Sequence, residues 1–400
     1  MVVSASRLGL LVLLGLLAAG APAAHGQIEE LPRPDTAHAP SFGVSVALGD
    51  SLAAVGASGE TGCGPNSGAV YVYRRTPGSV FDEWRGVARL TPRTCRPNTF
   101  FGERVVLSGQ RLLVSAASSE TFGGEGSNAA YMFARGEDGT WRQTARFTAP
   151  SDRQEGSFAA GIDLDGDRAV VSTSGEPEED RHGAVYVYDY DAARDTWRRS
   201  ARLTTGRDTE AGVLGRAVTL DGDRLAVAAS TYFRGEPGAV HVFERGASRW
   251  RETALLRGVD SFFIELDLDG STLLVGQDRA GDDDAGRATV FTARRDGGWL
   301  RDATLRPSQP YESGSFGTAV SLEGPWALVT GYGEQLGKDF NIDRVVYVFR
   351  RRGGRSWRQR TILDIGQVDF GAALDQHGAR AIVSSVPEDA PGSVYVVQLR

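Results

Sequence analysis

The sequence predicts an all-β protein: a seven-bladed β-propeller of four-stranded antiparallel blades, its ring closed by an N-terminal strand. Three regularities predict it. Six of the seven tryptophans, Trp84, Trp141, Trp197, Trp250, Trp299 and Trp357, recur at a near-constant interval. Each precedes a short run such as Trp141-Arg-Gln-Thr-Ala-Arg-Phe147 or Trp197-Arg-Arg-Ser-Ala-Arg-Leu203. A Phe-Gly pair keeps the same beat at Phe42-Gly43, Phe101-Gly102, Phe316-Gly317 and Phe370-Gly371, with altered copies at Phe158-Ala159, Leu214-Gly215 and Phe262-Phe263. In six of these seven units a glycine stands eight residues later (Gly109, Gly166, Gly222, Gly270, Gly324, Gly378), and the first unit reads as one residue shorter, with Gly49. A fixed period of this size marks one supersecondary unit repeated.

The third unit shows the elements in order. Phe158 to Leu164 is an apolar stretch, and Asp165-Gly166-Asp167-Arg168 is a turn. Ala169 to Thr173 is a second strand, followed by a loop rich in Gly, Pro and acid. Gly183 to Tyr188 alternates as a strand should, and Trp197 to Thr204 is the fourth strand. Asp-Gly between two apolar runs is a hairpin signal, because the turn needs residues that tolerate positive φ. Four antiparallel strands, repeated seven times, is the pattern of a propeller. The first strands would line a central channel, and their small residues suit crowding there. The third strands alternate Tyr and Phe (Tyr71 and Tyr73, Tyr131 and Phe133, Tyr186 and Tyr188, Tyr347 and Phe349), which suits packing between blades.

The seventh unit stops after its third strand, Val394-Tyr395-Val396-Val397. The segment Ile28-Glu29-Glu30-Leu31-Pro32 precedes Phe42 much as Ala88-Arg89-Leu90-Thr91-Pro92 precedes Phe101. It is expected to supply the missing strand and close the ring, leaving no open sheet edge. One domain then spans residues 27–400. Residues 1–26 have the order of a secretory signal peptide: Arg7, an apolar run from Leu8 to Ala19, then small residues up to Gly26. That run is short for a bilayer span, which needs about 20 residues. The expected protein is secreted or periplasmic, with no membrane span and no anchor, and monomeric.

The balance of 44 Lys+Arg against 51 Asp+Glu leaves a net charge of -7. That argues against non-specific nucleic-acid binding, which needs a basic footprint. The two cysteines, Cys63 and Cys95, fall within one repeat. In an exported protein they are expected to pair, with two separate thiols as the alternative.

These units resemble the FG-GAP repeats of the integrin α-subunit propeller and its bacterial relatives. The resemblance rests on Phe-Gly at the unit start, on Val55-Gly56-Ala57-Ser58, and on Gly68-Ala69-Val70-Tyr71-Val72-Tyr73, and it covers nearly all of the chain after residue 26. It implies a seven-bladed propeller that interacts through one face. It also implies calcium in Asp-rich loops between first and second strands, for which the nearest matches are Asp163, Asp165 and Asp167, and the run Glu265-Leu-Asp267-Leu-Asp269-Gly270. A calcium loop needs six to eight oxygens and a carboxylate beyond the glycine. The corresponding positions are Val171 and Leu273, so plain hairpins and no cofactor are expected.

No catalytic motif is visible: there is no His-Glu-x-x-His, no Cys-x-x-Cys and no phosphate loop. Gly124-Glu-Gly126-Ser-Asn-Ala129 leads into a strand, without the helix that a dinucleotide site requires. The histidines, His25, His38, His182, His241 and His377, are scattered. Long loops between second and third strands share one face with the blade-to-blade connections, and function tends to sit on such loops. They carry the candidate ligand residues Glu176, Glu178, Glu179, Asp180, Asp278, Asp282, Asp283 and Asp284, with the aromatics Phe122, Tyr232, Phe233 and Phe340. The expected function is binding of an extracellular protein or glycan, in adhesion or recognition, without covalent chemistry. The alternative is a secreted polysaccharide hydrolase or lyase with carboxylates converging at the channel mouth. Clustered acids of perturbed pKa would favour the alternative.

Overall fold

The structure is a computed structural model. It describes residues 28–34, 40–78, 83–116, 128–150, 157–174, 183–205, 213–230, 238–247, 249–259, 264–281, 285–308, 314–334, 342–353, 355–388 and 391–399. These residues form seven antiparallel four-stranded sheets. Blade 1 is β2 (Phe42–Leu48), β3 (Leu52–Ala57), β4 (Ala69–Thr76) and β5 (Glu83–Leu90). Blade 2 is β6 (Phe101–Ser108), β7 (Arg111–Ala116), β8 (Ala129–Arg135) and β9 (Trp141–Thr148). Blade 3 is β10 (Ser157–Asp165), β11 (Arg168–Ser174), β12 (Ala184–Asp191) and β13 (Thr196–Leu203). Blade 4 is β14 (Val213–Asp221), β15 (Arg224–Ser230), β16 (Gly238–Arg245) and β17 (Trp250–Val259). Blade 5 is β18 (Ile264–Asp269), β19 (Thr272–Gln277), β20 (Arg287–Ala293) and β21 (Trp299–Leu305). Blade 6 is β22 (Val320–Glu323), β23 (Trp326–Glu334), β24 (Ile342–Arg351) and β25 (Trp357–Leu363). Blade 7 joins β26 (Phe370–His377), β27 (Arg380–Ser385) and β28 (Ser393–Gln398) to β1 (Ile28–Glu30).

The first strands pack on one another in a closed circle, from β2 to β6 and onward to β26, which returns to β2. The core lies between blades. Each interface holds one apolar cluster, for example Val70 and Val72 of blade 1 against Phe101, Tyr131 and Phe133 of blade 2. The Tyr/Phe alternation of the third strands supplies these clusters, as expected. Edge-on ring pairs such as Phe101 with Tyr131, centroids 5.5 Å apart, add to the burial.

The two sequence markers meet across each interface. Phe-Gly is a β-bulge, where the pairing of β6 with β7 shifts register between Phe101 and Val105. Gly102 there takes φ +95°, a conformation that a side chain disfavours. Gly68, at the start of the third-strand motif, lies against the same bulge, so that a Cβ on it would overlap the Phe101 carbonyl. In the altered copy Phe158-Ala159, Ala159 is forced to φ 65°. The first unit is not shorter than the others. Leu48 pairs with Ala53 as Leu164 pairs with Ala169, so Asp50 holds the turn position and Gly49 precedes it.

Ring closure follows the expected route. Ile28 pairs with Val397, Glu29 with Val396 and Glu30 with Tyr395. Leu31 is 1% exposed and packs with Phe42, Tyr73 and Val394 at the interface of blades 7 and 1. The Tyr73 hydroxyl donates to the Pro32 carbonyl at 2.9 Å, and Glu29 Oε1 accepts the Trp84 N–H at 3.2 Å. The last strand of the ring is thus bonded to the first blade as well as to the seventh. Leu31→Ala should lower the unfolding free energy by about 3 kcal/mol, and deletion of Ile28 to Pro32 should lower it further. Both are read from denaturant midpoints, and unchanged midpoints would show that the ring does not depend on this strand.

Candidate functional site

The inner strand of each blade has no partner on its axial edge, so its N–H groups face the channel and need acceptors. Five residues after the unit marker the seven blades carry Ala47, Val106, Asp163, Thr219, Asp267, Ser321 and Asp375. Asp163 accepts the N–H of Leu164 at 2.7 Å and that of Leu220, in the next blade, at 2.6 Å. Asp267 does the same for Leu268 at 2.8 Å and Leu322 at 2.6 Å. Asp375 serves Gln376 and Leu48, each at 2.8 Å. Three carboxylates on alternate blades therefore satisfy one inward N–H in six blades. An odd number of blades leaves one over, blade 2, where Val106 stands.

Burial pushes the Asp163 carboxyl up to about 7 against its backbone donors, and the charge of Asp375 adds to the shift. Burial likewise raises Asp375 to about 6. Asp267 lies well above the ordinary range, for burial first and then for the charges of Asp375 and Asp163.

Two residues further along, a second set of acceptors fastens the hairpins of blades 2 to 6 to the blades that follow them. Ser108 accepts the Gly166 N–H at 2.9 Å, Asp165 that of Gly222 at 2.8 Å, and Asp221 that of Gly270. Asp269 takes Gly324 at 2.6 Å and Glu323 takes Gly378 at 2.7 Å. At the closing junction His377 Nε2 lies 3.1 Å from Asp50 Oδ1. The calcium candidates are accounted for here. Asp163 bridges blades 3 and 4, Asp165 fastens blade 4, and Asp167 pairs with Arg111 at 2.6 Å. With their oxygens taken by separate backbone N–H groups and by Arg111, these residues do not fit an ion cage of six to eight oxygens.

Towards the long-loop end, the channel holds a charged group that small-residue first strands did not suggest. Arg104 Nη2 is 3.8 Å from Glu265 Oε1. Burial lowers the Arg216 pKa, and nearby Arg104 lowers it further. Burial raises Glu265 despite both arginines, and Asp278 adds to the rise. Asp278 is therefore not an open loop acid: it is 3% exposed, at the end of β19 beside this cluster. The sequence offered Glu265 only as part of a calcium-like run, and no local pattern joined it to Arg104 and Arg216, which belong to other blades.

On the long-loop face, residues 58–67 form a built structure. Glu60 is buried, accepts the Tyr71 hydroxyl at 2.6 Å and the Arg89 Nε–H at 2.9 Å, and anchors the loop to blade 1. Cys63 and Cys95 are bonded, with Cα atoms 5.9 Å apart, and tie the loop to the connection between blades 1 and 2. Closing that span contributes about 3–4 kcal/mol in the chain-entropy model. His241 is buried in a third-strand tyrosine position, with Nδ1 2.8 Å from Glu252 Oε1. The other ligand-face candidates, Glu176, Glu178, Glu179, Asp180, Tyr232, Phe233, Asp282, Asp283 and Asp284, lie outside the described residues, as do Phe122 and Phe340. Among the described residues, no helix is long and apolar enough to cross a membrane.

The inner carboxyls set a pH dependence. Their folded-state pKa values lie above that of an unfolded aspartate, so folding takes up protons between the two values. Their stabilisation is complete below about pH 4. It is lost as pH rises through about 6 for Asp375 and about 7 for Asp163. The stability difference between wild type and Asp163→Asn should therefore shrink from pH 4 to pH 8, measured by denaturant unfolding. A difference that stays flat or grows would contradict the raised pKa.

Known proteins agree with this geometry. A family model described as FG-GAP repeat matches residues 26–73 and 141–188. Each span begins on the outer strand of one blade and ends on the third strand of the next, the phase that places β1 in blade 7. No curated protein matches the chain in sequence. Among solved structures, a "putative 6-phosphogluconolactonase" from Bacteroides uniformis is 12% identical, with a TM-score of 0.53 over 80% of this chain and 85% of that one. One of the same description from Bacteroides fragilis is 11% identical, with a TM-score of 0.52 over 81% and 84%. At such identities the likeness is one of fold alone. The chain carries FG-GAP repeats at residues 26–73 and 141–188 and folds as a seven-bladed β-propeller.

Proposed function

We propose that this propeller is an exported binding module that recognises an extracellular protein or glycan through its long-loop face. One observation supports this above the others. The carboxyls nearest the axis have their oxygens on backbone N–H groups of two blades, so they hold the ring together. The opposite investment is made on the long-loop face, where residues 58–67 are braced by a disulfide and a buried Glu60. A surface held rigid before contact loses little entropy on binding. The apolar run and small residues within 1–26 support export, and an oxidised Cys63–Cys95 pair suits an oxidising compartment.

A second reading has its own support. Glu265, its carboxyl raised by burial, lies between Arg104 and Arg216 in the channel. A protonated carboxyl beside cations could act as a general acid in glycan cleavage.

One experiment separates the two. The protein is immobilised beside a folded variant in which Glu178, Glu179, Asp180, Asp282, Asp283 and Asp284 are changed to serine. Both are exposed to the native extracellular fraction. A partner retained by the wild type and lost by the variant is the expected result. Identical capture by both would count against the acidic loops. Turnover of glycans that stops in Glu265→Gln would transfer the function to the channel.

A further inference from the structure

A cleft of about 440 Å³ opens where blades 1 and 2 meet on the long-loop face. Its size is within the range of small-ligand sites. Arg93, Thr94 and Arg96 reach it from the connection between β5 and β6, and Gln143 and Arg146 from β9, over a floor that includes Tyr131. Among the described residues, three arginines and no carboxylate line it, in a chain whose net charge is -7. All three arginines are exposed. Like charges around one concavity repel, and an anion that enters offsets the repulsion.

The walls are held in place before any ligand arrives. The Arg93 main chain donates to Gln143 Oε1 at 2.9 Å, and its guanidinium donates to the Gln143 carbonyl at 2.8 Å. Arg146 donates to the Tyr131 hydroxyl at 3.3 Å, with its guanidinium 5.7 Å from the ring centroid. The segment between Arg93 and Thr99 is pinned by the Cys63–Cys95 bond, by Asn98 N–H to the Pro65 carbonyl at 2.7 Å, and by the Thr99 hydroxyl to the Ser67 carbonyl at 2.9 Å. Planar guanidinium forks fixed in this way match the oxygens of a carboxylate or sulfate ester.

We propose that this cleft is a binding site for the oxyanion groups of an acidic glycan, carried as uronate carboxylates or sulfate esters. The proposal rests on the reading of the long-loop face as the binding face. A sugar suits the cleft better than an acidic peptide. The Gln143 amide and the Thr94 hydroxyl can serve ring hydroxyls, while Tyr131, 5% exposed, presents little of its ring to a large peptide anchor. The volume accommodates one or two sugar rings.

Calorimetry on the full chain tests this with six probes: a sulfated disaccharide and its desulfated form, digalacturonate and its methyl ester, inorganic sulfate, and a hexaglutamate peptide. At least one charged disaccharide should bind and its neutral form should not, and whether the sulfated or the uronate sugar binds names the oxyanion. Arg93→Gln and Arg146→Gln should each weaken binding by about tenfold or more, the loss of a charge-assisted hydrogen bond. Arg85→Gln, an exposed change on β5 of equal charge, should leave affinity unaltered. Unfolding midpoints of the variants control for folding. The proposal is overturned by absence of binding, by equal binding of the neutral sugars, by variants of unchanged affinity, or by tighter binding of hexaglutamate. Inorganic sulfate held as tightly as the sugar would overturn it too, as an adventitious ion only. If the cleft fails while the acidic-loop variant still loses a partner, the binding role of the face stands and this site falls.

Discussion

Every blade of this ring ends, at the axis, in a strand with nothing beside it. A free strand edge carries N–H groups that must find acceptors, and at the centre of a propeller neither another sheet nor bulk solvent supplies them freely. The chain answers with side chains borrowed from the neighbouring blade. Asp163, Asp267 and Asp375 each hold two N–H groups, one on either side of an interface. A carboxylate has two oxygens, so one on every second blade suffices, and the alternation of Asp with Thr219 and Ser321 follows from that arithmetic.

The same need extends to the hairpins and to closure. Ser108, Asp165, Asp221, Asp269 and Glu323 fasten the turns of blades 2 to 6 to those that follow. Because apolar clusters lie between blades and not within them, no blade is complete without its neighbours. β1 shuts the ring from the opposite end of the chain. The displacement of the repeat from the blade by one strand is what makes that closure possible, since it leaves an outer strand at one end and a gap at the other.

Placement of charge divides the molecule into two regions with different tasks. Acids dominate the axis, where they accept backbone hydrogen bonds and have raised pKa values because they are deep and close to one another. Perturbed carboxyls are often the mark of an active site, but here geometry gives them a structural cause. Arginines gather instead at the junction of blades 1 and 2, around a cleft braced by a disulfide. Arg93 fastens its connection to Gln143 of blade 2, and Arg146 donates to Tyr131 within that blade.

Much of the architecture was legible in the sequence, because a repeat is a local property copied at a fixed period. The Trp and Phe-Gly beats, the Asp-Gly turns and the truncated seventh unit declared blade number, strand order and the closing strand before any contact was known. The pairing of Cys63 with Cys95 was legible as an expectation, because the two cysteines of a chain expected to be exported fall within one repeat. Even the Asp163, Asp267 and Asp375 alternation was present as letters at one repeat position, although its purpose was not, since the N–H groups they bind belong to other blades. Tertiary structure alone decided which acids are buried. Asp278 looked like a loop acid and is packed beside Glu265, and Arg104, Arg216 and Glu265 meet in the channel from blades 2, 4 and 5. It also decided that Arg93, Arg96 and Arg146 line one cleft. Residues far apart in the chain converge by the curvature of the ring, and no local pattern records that curvature.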